Sequence, residues 1–287
     1  MYEKTKQTIK IIVEKLLNND YDFRWIFVSC IGYNLIKVYA KTFDKNLLDF
    51  IFDESVDWFL NEIGFYDDNF KLSNYNTQKR ITPIYSIVWF WEVEKISNNF
   101  YDRLKIILWT EYQSIIVNLS NAIFELLNNI EHHSWADLWE IANNFSSAQI
   151  YLWKWFLQIA IVDTGIWILS SVRKKDKNIQ TADKAILKAL ERWFTWKTQL
   201  INQWHHNKWL WLTRTKEIIK QLKWDLFIWT RDYLYCYSWQ NDKEEFLKFE
   251  KSWRWTYITI NIYYDKIWKI DENPYNLDWN NLDDLFI

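Results

Sequence analysis

Phe156-Leu157-Gln158-Ile159-Ala160-Ile161-Val162-Asp163-Thr164-Gly165-Ile166-Trp167-Ile168 is an almost continuous apolar run that ends on an aspartate and opens into a turn. Seven residues broken only by Gln158 read as a strand. An aspartate at such a strand end can accept a hydrogen bond from an exocyclic amine, while the glycine-bearing turn lets backbone pass close to a ring. Taken alone, Asp163-Thr164-Gly165-Ile166 is equally an ordinary type I or II turn with a capping aspartate. The discordant letter is Trp167. An indole stands where close backbone approach calls for glycine.

The same discord recurs along the chain. Asn207-Lys208-Trp209-Leu210-Trp211-Leu212 becomes N-K-G-L-G-L when tryptophan is read as glycine. The chain carries 22 Trp and 3 Gly, whereas average usage of about 7% Gly would place roughly 20 glycines in a chain of this length. Usage leans on Ile, Asn, Lys, Tyr and Phe, the residues of AT-rich codons. Several bacterial lineages read the codon UGA as glycine, while another common table reads it as tryptophan. Most Trp letters are therefore read as glycine, with Gly32, Gly64 and Gly165 coming from ordinary codons. Taken literally, the letters describe a Trp-rich protein presenting indole faces to sugars or cations, with Val88-Trp89-Phe90-Trp91 the segment best suited to it.

Bulk properties narrow the function. With 35 basic and 37 acidic residues the net charge is −2, which gives no attraction to nucleic acid or to an acidic membrane surface. Cys30 and Cys236 cannot form a disulfide framework and fit a reducing compartment. The first fifteen residues lack a signal-peptide core, and no apolar run approaches 18 residues. A cytoplasmic chain without a membrane span is expected.

Periodicity predicts helices near 6–19, 31–40, 54–63, 181–191 and 213–222, and two more within 92–133, broken near Trp109-Thr110. Gly64 stops the third in the manner of a C-cap. Strands are expected at 26–29, 82–87, 148–152, 156–162, 225–230, 233–238 and 256–263, with Pro83 confining the second to an edge. A domain boundary is placed at 88/89, giving a small α/β unit, 1–88, and a larger one, 89–287. The tail after Asp271 reads as polar and frayed.

Four segments of the larger unit carry chemistry. Glu125 and Asn129 lie one helical turn apart, opposite the apolar stripe of Leu126, Leu127 and Ile130. A carboxylate and an amide oxygen so placed can polarise a nucleophile and ligate a hard cation such as Mg²⁺. The second segment is the Asp163 turn. The third, Lys208 to Thr213, is a corrected glycine-rich turn feeding a helix N-terminus, where free N–H groups favour phosphate. The fourth, Trp255-Thr256, corrects to G-T at the head of the last strand.

In this order the four segments resemble the GHKL ATPase superfamily, which includes histidine-kinase ATP-binding domains, anti-sigma serine kinases, gyrase B subunits and heat-shock chaperones. Residues 115–134 look like its N-box, 163–168 its first glycine box and 207–213 its second. Residues 191–206 look like its ATP lid, Arg192-Trp193-Phe194-Thr195 correcting to R-G-F-T. The resemblance spans roughly 110–263. It implies an α+β fold of Bergerat type, a two-layer sandwich of a mixed sheet with helices on one face, preceded by the small α/β unit, whose 20–88 resembles a STAS fold. It further implies that Glu125 is the general base, that Asn129 holds Mg²⁺, and that Asp163, helped by Thr256, reads the adenine amine. Gly165 and position 167 would admit the nucleotide. Lys208 and the amides of Trp209, Leu210, Trp211 and Leu212 would bind phosphate, with Thr195 in the lid. His132 takes the place of a basic residue near the phosphates.

The function so implied is an ATP- and Mg²⁺-dependent protein kinase of the anti-sigma, signalling type, acting on an unidentified regulatory protein. The alternative is an ATP-gated interaction module, in which nucleotide orders the lid and the lid recruits a partner, or an ATPase without phosphotransfer. His132, His133, His205 and His206 all fall inside the ATP domain, so a sensor kinase carrying its own phosphoacceptor histidine is not expected.

Overall fold

The computed structural model describes residues 2–24, 26, 28–67, 84–87, 90–108, 113–134, 144–151, 156–164, 168–191 and 210–263. Its elements are α1 (Tyr2–Leu17), α2 (Cys30–Thr42), a 3-10 turn (Leu47–Asp49), α3 (Glu54–Glu62), β1 (Tyr85–Ile87), α4 (Phe90–Leu108), α5 (Gln113–Ser134), β2 (Asn144–Tyr151), β3 (Phe156–Asp163), α6 (Ile168–Lys175), α7 (Ala182–Leu190), α8 (Leu210–Gln221), β4 (Asp225–Ser238) and β5 (Lys243–Tyr263). The class is α+β. No described helix is long and apolar enough to cross a membrane.

The strands form one five-stranded sheet in the order β1-β2-β3-β5-β4. Every pairing among them is antiparallel, not mixed as the resemblance implied. β3 lies at the centre and is buried along its whole length. Alternation assigns its two faces. Leu157, Ile159 and Ile161 join a core with α4, α5, α6, α7 and α8, together with Ile258, Ile260 and Ile262 of β5. Ala160 and Val162 join a second core with α1 and α2. Helices therefore cover both faces, where one was expected. The nearly continuous apolar run of β3, interrupted by Gln158, is buried on both faces, and nothing local in it named the second cover.

That second cover is the N-terminal segment. Residues 2–67 contribute helices and a single parallel bridge, Asp22 to Ile51, and no strand forms at the described residues of 26–29. Sheet side chains hold both backbone groups of Ile31 in the first turn of α2. Its N–H donates to Gln158 Oε1 at 3.2 Å, and its carbonyl accepts from the Tyr257 hydroxyl at 3.0 Å. Gln158 Nε2 donates to Asn261 Oδ1 (2.9 Å), and Asn261 Nδ2 donates to Thr5 Oγ1 of α1 (3.0 Å). A Cβ on Gly32 would meet Ile12 Cδ1 at 2.6 Å and Val28 Cγ1 at 2.7 Å, so glycine permits the close approach of α1 and α2. Gly64, with φ 74°, ends α3 as its sequence position predicts.

β4 and β5 form a hairpin that folds back on itself. Their register jumps at Arg231, which sits at φ 57°. The Trp239 N–H reaches Asp225 Oδ1 at 3.4 Å although the two are 14 positions apart. A straight strand of that length would separate them by roughly 45 Å. The returning arm is tied to α8 by Lys216–Glu244 (2.8 Å) and Lys220–Asp242 (3.2 Å), and to α1 by Lys6–Glu245 (2.6 Å).

Asp225 is fully buried where the two ends of the fold-back meet, and it also accepts from the Tyr263 hydroxyl. Burial pushes its carboxyl up to about 6. The folded chain thus keeps a proton that the unfolded chain has already released at its ordinary value of 3.8. Stability from this group is expected to fall as pH rises from about 4 to about 6, then to level off. Denaturant melts at pH 4, 5, 6 and 7 should show that decline, and Asp225→Asn should flatten it. Glu245 acts with the opposite sign: Lys6 holds its carboxyl down to about 2, so its contribution is lost as pH falls below 4.5.

Candidate functional site

Asp163 closes β3 in direct register with Thr256 of β5, and Thr256 is in turn in register with Thr230 of β4. The Thr256 and Thr230 Oγ1 atoms are 3.5 Å apart. Alternation places all three on the side of the sheet covered by α4 to α8, because they continue the series Leu157-Ile159-Ile161, Ile258-Ile260-Ile262 and Leu226-Ile228. Exposures are 8% for Asp163, 7% for Thr256 and 0% for Thr230. A carboxylate and two hydroxyls in line on a largely apolar face, which also carries Ser146 beside Ile161, are costly unless hydrogen-bonded. Such a row can accept from an amine at its carboxylate end and donate from a hydroxyl beside it.

α5 lies over the same face. Ile116, Leu119, Ile123, Leu126 and Leu127 bury in one core with Ile161 of β3, and α5 packs against both β3 and α8. Glu125, Asn129 and His132 are carried by this helix, one turn or less from each neighbour, and their side chains lie outside the described residues. α8 begins at Leu210, three residues earlier than its pattern predicts. Leu210, Trp211 and Leu212 therefore belong to its first turn, where backbone N–H groups have no partner within the helix. Leu212 buries its side chain in the core, leaving its amide as the group available for a ligand. Gly165, Trp167, Thr195, Lys208 and Trp209 fall outside the described residues, as does the expected lid from 192 onward.

The structure joins Asp163 to Thr256 across two strands and puts α5 and α8 over the face they share. Thr230 was missed by sequence reading. Its signal was available, because Thr230 ends the apolar run Leu226–Trp229 just as Asp163 ends its own.

The tryptophans divide. Trp58 is 65% exposed, Trp239 lies in the β4–β5 turn, and Trp224, Trp229, Trp253 and Trp255 are buried. Reading tryptophan as glycine predicts Trp229, like Trp135, Trp139, Trp153 and Trp155, at a turn, splayed toward solvent or the cleft. Trp229 lies instead inside β4 against Trp253 and Trp255, with ring centroids 5.6 and 6.4 Å away, because its strand position faces the core under α2. No described tryptophan takes a positive φ. Yet Trp224, Trp229, Trp239, Trp253 and Trp255 each bury an indole N–H that has no hydrogen-bond partner. Native cores seldom leave such donors unmet, at a cost of about 1–3 kcal/mol each. The Trp229–Trp253–Trp255 cluster is closed to solvent, so it presents no indole platform to a sugar or a cation. Trp135, Trp139, Trp153 and Trp155 lie outside the described residues.

A separate groove of about 510 Å³ opens between α4 and α5, over Ser97, Asn98, Tyr101, Asn121 and Phe124. None of its lining residues belongs to β3, β4 or β5. No protein-family model, curated protein or solved structure matches the chain.

Proposed function

We propose that this protein is a GHKL-type signalling ATPase with a Bergerat-like nucleotide site, which transfers the γ-phosphoryl group of ATP to a hydroxyl of a partner protein. The observation that carries the reading is the register of Asp163 with Thr256 on the sheet face that α5 and α8 cover. Two ends of the same site, far apart in sequence, meet on one surface with the chemistry an adenine edge requires. The buried indole N–H groups without partners favour the associated reading of tryptophan as glycine, whereas the burial of Trp224, Trp229, Trp253 and Trp255 with ordinary backbone angles counts against it at those positions.

In this reading Asp163 accepts from the adenine amine and Thr256 meets the neighbouring ring nitrogen. The first-turn amides of α8, with Lys208, bind phosphate oxygens. Asn129 offers a hard amide oxygen suited to Mg²⁺, which would neutralise phosphate charge when bound. Glu125 takes the proton from the acceptor hydroxyl as its oxygen attacks the γ-phosphorus. The bond to the β,γ-bridging oxygen breaks, and ADP leaves. Such transfer depends chiefly on positioning and charge neutralisation.

Incubating the glycine-containing protein with γ-labelled ATP and lysate tests the assignment. Label is expected on a partner protein. Nucleotide-dependent retention of a partner without label would replace the kinase by the ATP-gated module, and absence of any nucleotide binding would remove both.

A further inference from the structure

We propose that the groove between α4 and α5 is the docking site for a segment of this chain itself, residues 281–287, which enters it as a short amphipathic helix. Occupancy of this kind does not depend on the ATP reading. Two apolar side chains of α5 on the groove wall, Val117 and Phe124, are left 39% and 37% exposed, two turns apart along the helix. Between them Ser120 is buried, and its hydroxyl has no hydrogen-bond partner among the described residues. A strip that is apolar at both ends, with an unmet hydroxyl between, fits a helix carrying apolar side chains at i, i+3 and i+4 beside polar ones.

Residues 281–287 read Asn-Leu-Asp-Asp-Leu-Phe-Ile, with Leu282, Leu285 and Phe286 at that spacing. They lie outside the described residues, and 264–280 connect them to the end of β5 at Tyr263. A connection of that length spans up to about 55 Å, against a radius of gyration of about 19 Å for a domain of this size. Tethering also holds the segment at roughly millimolar effective concentration, so weak intrinsic affinity is enough to keep it docked.

Charge sets the direction. The Gln113 side-chain amide donates to the Tyr101 hydroxyl at 2.7 Å, which brings the Tyr101 end of α4 beside the start of α5. Val117 thus lies toward Tyr101, and Phe124 toward Val93 and Glu94. Lys105 Nζ sits 4.1 Å from the centre of the Tyr101 ring and supplies a cation at that end. Asp283 and Asp284 are drawn there and away from Glu94, which sets Leu282 by Val117 and Phe286 by Phe124. A second copy is the poorer occupant. The groove holds about 510 Å³, room for a short segment, whereas a stable dimer buries roughly 1,200 Å² or more.

The test uses the full chain carrying Val117→Cys and Asn281→Cys, treated with a short bis-maleimide and read by denaturing gel and mass spectrometry. Cys30 and Cys236 are buried, which shields them from the reagent. A cross-link within one chain is expected, forming at least about ten times faster than in a control chain with Asn281→Cys and Lys174→Cys, an exposed position on α6. Adding Leu285→Asp and Phe286→Asp is expected to remove that advantage without changing the melting temperature. Equal rates at 117 and 174, or a rate at 117 that survives the two aspartates, would overturn the proposal. A cross-link between two chains would overturn it by giving the groove to a second copy. Absence of any cross-link would overturn it by leaving the groove to a different ligand.

Discussion

The chain carrying Trp167→Gly, Trp209→Gly and Trp211→Gly is expected to bind Mg²⁺–ATP at least about 100-fold more tightly than the chain as written, a difference of roughly 3 kcal/mol or more. Two physical terms add. Glycines in nucleotide-binding turns commonly take positive φ, and a residue with a Cβ pays about 1–2 kcal/mol at each such position. An indole also fills volume that the ring or the phosphates would occupy, and positions 209 and 211 bracket the start of α8, whose first-turn amides are the proposed phosphate donors. Calorimetric titration of both chains with a non-hydrolysable ATP analogue and Mg²⁺ measures the difference. Equal affinities would defeat the steric argument and, with it, the glycine reading. The gene supplies an independent check, since UGA codons at these three positions are expected and UGG codons would contradict the proposal.

The buried tryptophans sharpen that contrast. Replacing a well-packed core tryptophan by a small residue ordinarily costs about 3–5 kcal/mol. Trp229, Trp253 and Trp255 fill the core under α2, so glycine there removes packing. Each also buries a donor without a partner, which works against the packing gain.

Loss of the proposed general base should produce the other large effect. Glu125→Gln in the glycine-containing chain is expected to slow phosphoryl transfer by about 10²–10⁴-fold while ATP affinity stays within a few-fold. The amide keeps the size and the helix position of the carboxylate but cannot accept the proton of the attacking hydroxyl. Single-turnover transfer of labelled phosphate, measured beside equilibrium binding, separates the two. Unchanged transfer would remove Glu125 from the chemistry. Equal loss of binding and transfer would assign it to nucleotide positioning instead.

Local patterning was readable wherever the period of the apolar residues decided the element. The stripe Ile116, Leu119, Ile123, Leu126 and Leu127 specified α5, the run Phe156–Val162 specified β3, and Gly64 marked the end of α3. Asp163 and Thr256 were also legible as candidate site residues, because each stands where an apolar strand meets a turn or a tryptophan read as glycine. Glu125 and Asn129 were legible only as a helical pair one turn apart.

What the sequence determined by itself, then, was the identity of most elements and the residue types at their ends, since helical and strand periods are properties of neighbouring residues. Tertiary structure decided the rest. It paired Thr230 with Thr256, made the sheet antiparallel throughout, folded the β4–β5 hairpin back at Arg231, and set α1 and α2 on the second face of β3. Strand register and the choice of covering layer depend on contacts between residues 26 to 243 or more positions apart, such as Thr230 with Thr256 and Tyr2 with Glu245. An apolar strand announces that it must be covered on both faces, but the covering helices are selected by shape and by buried hydrogen bonds that exist only once the chain has closed on itself.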